Sequence, residues 1–232
     1  MSQPQEPHVE ESYVADIILG GQDGLVNVLG VILGVAAASG EARIIIAAGL
    51  AATFAESVSM GAVVFTSMRA RQDFYLSELA REKREMEEVP EIEREEIREI
   101  YRKKGFSGKL LEQIVVKITS DEKVWLDTMM KEELGLEPID MRQVMRSSTI
   151  VFISAMIGSF IPLTPFFFLP IGGAIAVSLG ISGTALFLVG VYKAKRMVGK
   201  PVRAGLELLV IGMLAALIGY VIGVLFKAPA PS

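Results

Sequence analysis

The sequence predicts an all-α integral membrane protein with five transmembrane helices per protomer and a three-helix cytoplasmic domain inserted between helices two and three. Three observations carry that expectation. Hydrophobic residues fill 51% of the 232 positions and the mean hydropathy is +0.46, yet 22% of residues are charged, close to the share in soluble domains. The charges are segregated: residues 69 to 142 hold 19 of the 27 acids and 15 of the 23 bases, leaving 8 of each over the other 158 positions. The apolar remainder divides into segments of the ~20 residues that cross about 30 Å of hydrocarbon.

Residues 1–15 are polar, contain Pro4 and Pro7, and lack the basic start and apolar middle of a secretory signal, so they read as a cytoplasmic tail. Transmembrane helices 1 and 2 occupy 16–68. The first, to Ser39, is apolar apart from Asp16, Gln22, Asp23 and Asn27; the second, from Ile44 to about Thr66, has Glu56 as its single ionisable residue. Residues 69–141 form the helical insert in three stretches. One runs on to about Val89 before Pro90 and can continue from the second span; another covers Glu91 to Lys104 and stops at Gly105; the third runs from Ser107 to Gly135. Tyr75, Leu79, Ile92, Ile97, Ile100, Tyr101, Leu110, Ile114, Val115, Ile118, Trp125 and Leu126 are its expected core.

Transmembrane helices 3 to 5 occupy 142–227. The 43 residues from Thr149 to Val191 carry no charge, twice what one crossing needs, and Pro162 and Pro165 mark the break between Met145–Leu163 and Pro165–Val191. A basic loop from Tyr192 to Ala204 precedes the fifth span, Gly205 to Phe226, with Glu207 near its start; 228–232 is a short tail. With five crossings and the N-terminus and insert cytoplasmic, nearly every Lys and Arg falls on the cytoplasmic side, as the positive-inside rule requires.

Several functions are excluded by composition. The chain has no Cys, and its one His, His8, lies in the tail, so thiolate sites, zinc-hydrolase sites and the Glu-x-x-His pairs of di-iron bundles are ruled out. A net charge of −4 gives no basic footprint for nucleic acid. No nucleophile elbow is present, and no catalytic residue, enzyme activity or prosthetic group is expected.

Chemistry concentrates at two places. An unpaired charge at mid-bilayer costs at least ~2.5 kcal/mol, so Asp23 and Glu56 need a reason to be there. Asp23 and Asn27 are one turn apart, as are Glu56 and Met60. Oxygen and thioether together suit a borderline divalent transition metal, whereas structural hydrogen bonding for the acids and packing for Met60 are the plain alternatives. Glu207 reads best as an interfacial group beside Arg203. In the insert, Glu82 and Glu85, Glu93 and Glu96, and Met129, Met130 and Glu133 share helix faces. They read either as metal ligands or as solvated faces of a Glu-rich domain. Gly30 with Gly34 and Gly219 with Gly223 form small-xxx-small pairs, which permit close helix approach within one protomer or between two.

The run from Asp23 to Gly30, DGLVNVLG, followed by GVAAAS from Gly34 to Ser39, resembles the first-helix signature of the vacuolar iron transporter family. Glu56 to Gly61, ESVSMG, resembles its second-helix motif, and Met129 to Gly135, MMKEELG, the end of its cytoplasmic metal-binding domain. The resemblance implies export of cytosolic Fe²⁺, or of other divalent metals such as Mn²⁺, in exchange for protons, through a path at the interface of a homodimer. It implies a plasma membrane if the source is prokaryotic and a vacuolar one if eukaryotic. It makes Asp23 and Met60 pore ligands, with Asn27 and Glu56 beside them. Glu82, Glu85, Glu93, Glu96, Met129, Met130 and Glu133 become the cytoplasmic metal ligands. One departure stands out: a carboxylate that some members carry two turns before the methionine is Ala52 here, while Glu56 lies one turn before it. The alternatives are a Mn²⁺-preferring exporter and a membrane-anchored metal sensor or buffer. The expected partners are lipid, a second copy, divalent ions and protons.

Overall fold

A computed structural model describes residues 8–196 and 199–227; the first part of the expected N-terminal tail, 1–7, and the whole expected C-terminal tail, 228–232, lie outside the described residues. Every regular element among the described residues is helical, and five helices are long and apolar enough to cross a membrane. The chain divides into two compact units: one formed by the segments up to Phe65 and from Met145, the other by Thr66–Val144.

The first unit contains α1 (His8–Ser39), the first part of α2 (Ala42–Glu88), most of α6 (Met141–Leu163), α7 (Ile171–Arg196) and α8 (Pro201–Leu225). Helix α1 begins inside the segment expected as a tail, because nothing between His8 and Asp16 breaks a helix. It ends at Gly40, whose φ of +64° is the left-handed cap a residue without Cβ adopts most easily, its N–H donating to the Ala36 carbonyl at 3.2 Å. Pro162 is accommodated in the last turn of α6, and the chain then turns through a 3-10 segment, Thr164–Phe167. The Ser178 hydroxyl of α7 donates to the Pro162 carbonyl at 2.8 Å, satisfying one of the acceptors a helix end leaves free. The basic loop is shorter than expected: Tyr192–Arg196 finish α7, and Pro201 at the first turn of α8, where its missing N–H costs nothing, opens the next helix.

Backbone contact holds this unit together. A methyl group on Gly219 would overlap the Gly30 carbonyl and one on Gly223 the Gly34 carbonyl, so both small-residue pairs meet each other, α1 against α8, within the chain. Gly20 and Gly24 press on Val151 and Ala155 of α6 in the same way. Between them Val28, Leu29, Ile32 and Leu33 of α1 enter a core with Ile45, Leu163, Phe166, Ala174 and Ala216.

The second unit contains the end of α2, α3 (Pro90–Lys103), α4 (Gly108–Thr119), α5 (Glu122–Thr128) and a π-helical turn, Met129–Glu133. The second span and the first insert stretch are one helix, α2, as the sequence allowed. The third expected stretch is not one helix: it breaks at Ser120–Asp121, where the Asp121 carboxylate caps α5 by accepting from the N–H groups of Lys123 and Val124 at 3.0 and 3.2 Å. The core is Met86, Ile97, Leu111, Val115, Ile118, Trp125 and Met129, flanked by Tyr101, Ile114 and Leu126. Ile92 and Leu110, expected inside, are 57% and 55% exposed. In α4 the buried stripe is Leu111, Val115 and Ile118, one position round from Leu110; Met86 and Met129 complete the core.

Candidate functional site

Two helices joined by a two-residue turn run antiparallel, so residues equally far from the turn face each other. Asp23 stands 16 residues before Ser39 and Glu56 14 after Ala42, which at ~1.5 Å per residue puts both at nearly one depth. The side chains meet: Asn27 Nδ2 donates to Asp23 Oδ2 at 3.2 Å, and the Glu56 carboxyl is within hydrogen-bonding reach of both Asp23 and Asn27. Met60 follows one turn further along α2. Asn27 is exposed and Asp23, Glu56 and Met60 are half-buried, so this polar group opens on the side of the chain. The next face of α2 is closed, with Thr53 and Ser57 fully buried and their hydroxyls donating to the carbonyls of Gly49 and Thr53 at 2.8 and 2.7 Å. Asp16, noted in the sequence only as an interruption, is hydrogen-bonded to Ser147 of α6; residue spacing within α1 alone gave no sign of that partner.

In the other unit, Glu82 and Glu93 are buried at 2% and 3% exposure, Glu85 and Glu96 are half-buried and Glu133 is exposed as a residue. The five act on one another through space. Burial first, then the charges of Glu96, Glu82, Glu85 and Glu133, pushes the Glu93 carboxyl up to about 7. The Glu133 carboxyl end, withdrawn from water and facing Glu96 and Glu82, is also pushed up to about 7. Burial and the charges of Glu82 and Glu85 raise Glu96 as well. Such shifts mark carboxylates that hold protons readily and gain from a cation among them.

Arg81 partly supplies that cation: its guanidinium lies 2.9 Å from Glu78, 3.1 Å from Glu82 and 3.6 Å from Glu85. Same-face spacing of acids is blind to this arginine; its opposite charge next to Glu82 and four residues before Glu85 is the signal that marks it. One oxygen, Glu93 Oε2, is buried with no hydrogen-bond partner. Among the described residues no three carboxylates stand in ready coordinating geometry.

The two methionines separate. In the π-turn, Leu134 N–H donates to Met129 carbonyl at 3.2 Å and Leu136 N–H to Met130 carbonyl at 2.8 Å. This wider winding, common at functional positions, buries both consecutive side chains, at 0% and 1% exposure. Met129 packs in the apolar core, whereas Met130 is buried outside that cluster.

A sequence model of the VIT family matches residues 14–224. Vacuolar iron transporter 1 of Arabidopsis thaliana is 33% identical over 215 residues, covering 90% of this chain and 86% of the relative. Vacuolar iron transporter 1 of Tulipa gesneriana is 31% identical over 221 residues, covering 93% and 90%. The vacuolar iron transporter of Plasmodium falciparum is 29% identical over 230 residues, covering 95% and 84%.

Proposed function

The chain belongs to the VIT family, a family of membrane transporters rather than enzymes, and from that premise we propose that it exports cytosolic Fe²⁺ in exchange for protons. Iron is the metal in the names of its relatives. The observation that carries the reading is the meeting of Asp23 with Glu56 inside membrane-spanning helices. Two carboxyl groups in contact in a poorly solvated place repel unless a proton or a metal ion stands between them. Exchange of one for the other is therefore the chemistry this pair is built for. Oxygens with the Met60 thioether bind Fe²⁺ without the grip of thiolates, which suits a cargo that must be released. Glu56 serves the same site in place of the carboxylate that some members carry where this chain has Ala52, because it reaches Asp23 across the hairpin.

This polar group opens on the side of the protomer, and exposing it to lipid is costly. A second copy covering that face gives a homodimer with the path at its interface. The glycine pairs no longer speak for that dimer, since they meet within one protomer. The Glu-rich unit is cytoplasmic and collects metal through Glu82, Glu85, Glu93, Glu96, Met130 and Glu133, with Met129 supporting them from the core. An anchored sensor has no use for a carboxyl pair in its spans. Carboxylates suit Mn²⁺ as well as Fe²⁺, so a Mn²⁺ preference is the second reading.

Flux through liposomes containing the purified protein, comparing Fe²⁺, Mn²⁺, Zn²⁺ and Ca²⁺ with and without a pH gradient, tests the proposal. Fe²⁺ flux that needs the gradient and is lost in Asp23→Ala is expected. Normal Fe²⁺ flux by Asp23→Ala overturns the proposed site, and flux indifferent to the gradient overturns proton exchange.

A further inference from the structure

Away from both acid groups, the membrane unit carries a groove of about 520 Å³ between α1, α6 and α7, within the size range of small-ligand sites. Its lining is apolar and one side is open: Ile17, Ile157 and Leu188 are 53%, 62% and 58% exposed. At about 100° per residue, Val14, Ile17, Gly21 and Leu25 lie roughly half a turn of α1 away from Asp23, so the groove is separate from the transport face. It runs from Val14 and Tyr192 at one end to Leu25 and Ile161 deeper in the bundle.

Cations gather at the Val14–Tyr192 end. The Arg146 guanidinium lies 3.9 Å from the ring centroid of Tyr13, the neighbour of Val14. Arg196 lies 5.7 Å from the ring centroid of Tyr192, which itself lines the groove. Lys193 and Lys195 add exposed charge in the same last turn of α7. An apolar slot open to hydrocarbon, with a mouth of aromatic rings and cations, matches a ligand with an acyl chain and an anionic head. A neutral lipid leaves the cations unanswered, and a free phosphate leaves the slot unfilled.

We propose that this groove holds one acyl chain of an anionic glycerophospholipid, its phosphate resting among Arg146, Lys193 and Arg196. The site does not depend on metal identity or proton exchange, and its test reads lipid retention instead of metal flux. The full-length protein, delipidated in detergent and offered equimolar phosphatidylglycerol and phosphatidylcholine, is weighed by native mass spectrometry. Preferential retention of phosphatidylglycerol is expected. Arg146→Gln with Arg196→Gln should lower that preference roughly tenfold, and Ile157→Trp with Leu188→Trp should abolish retention. Should the tryptophan variant fail to fold, Leu188→Cys, the single thiol in a chain without cysteine, is blocked after purification with a bulky reagent and read in the same way. Equal retention of the two lipids, or retention unchanged by filling the groove, overturns the proposal. So does efficient disulfide cross-linking of Leu188→Cys between two protomers, which assigns the groove to a second copy.

Discussion

The two acid groups use the same side chain in opposite settings. In the membrane unit a single carboxyl pair, Asp23 and Glu56, is steadied by one amide, Asn27. In the other unit five glutamates crowd together, with Arg81 already bound to two of them and a buried Glu93 oxygen unpartnered. A site with two acids and no counter-charge makes each acid indispensable. A site with five acids and an arginine is redundant: any one loss is cushioned by the rest. On the proposed function, the pair would serve an all-or-none exchange step and the cluster a graded collection of cations.

That contrast breaks first at the pair. Asp23→Asn or Glu56→Gln should reduce metal flux at least about a hundredfold, since loss of outer-shell partners alone costs about 10–100-fold at metal sites; liposome flux measures it. In the cluster, Glu93→Ala with Glu96→Ala should weaken metal binding by the purified protein about tenfold while leaving binding detectable; unchanged binding returns those residues to a solvated face.

The methionines sharpen the comparison within the cluster. Met129→Ala should destabilise the protein by about 2–5 kcal/mol as a core truncation with metal affinity nearly unchanged, whereas Met130→Ala, equally buried, should cost stability and lower metal affinity as well. Thermal unfolding beside calorimetric metal titration separates the two outcomes.

A smaller effect concerns pH. Glu93 and Glu133 hold protons up to about 7 in the folded protein, against the usual 4.5 when unfolded, so folding takes up protons between those values. The metal-free protein should therefore lose stability as pH rises from about 4.5 to 7, and Glu93→Gln should flatten that slope. Metal has to displace those protons, so its affinity should rise over the same window. The smallest change is Asp121→Ala, which removes the cap of α5 and should cost about 1 kcal/mol in the unfolding curve.

Much of this was readable in the residues because the strongest signals are compositional. Charge segregation marks out 69–142, which overlaps the second compact unit, Thr66–Val144, and the long uncharged stretches fall in helices long and apolar enough to cross a membrane. Asp23 and Glu56 stood out because ionisable groups are costly there. What was not readable depends on partners distant in sequence. The break before α5 carries no Gly or Pro, only an aspartate that caps, so Asp121 passed as one more charge. The stripe of α4 was shifted by one residue, which moved Leu110 out and Leu111 in. Arg81 is invisible to same-face spacing of acids, which says nothing about the cation among them. The glycine pairs advertised close approach, but spacing on one helix cannot say which helix approaches.

Those glycines also decide how the bundle can flex. Where side chains interdigitate, a helix can tilt and let rotamers absorb the change, but at Gly30–Gly219 and Gly34–Gly223 main chain rests on main chain with no such cushion. Helix α1, which carries Asp23, is thus splinted to α8 along its second half. The two form one stiff lever, and any tilt of α1 that moves Asp23 must swing α8 with it.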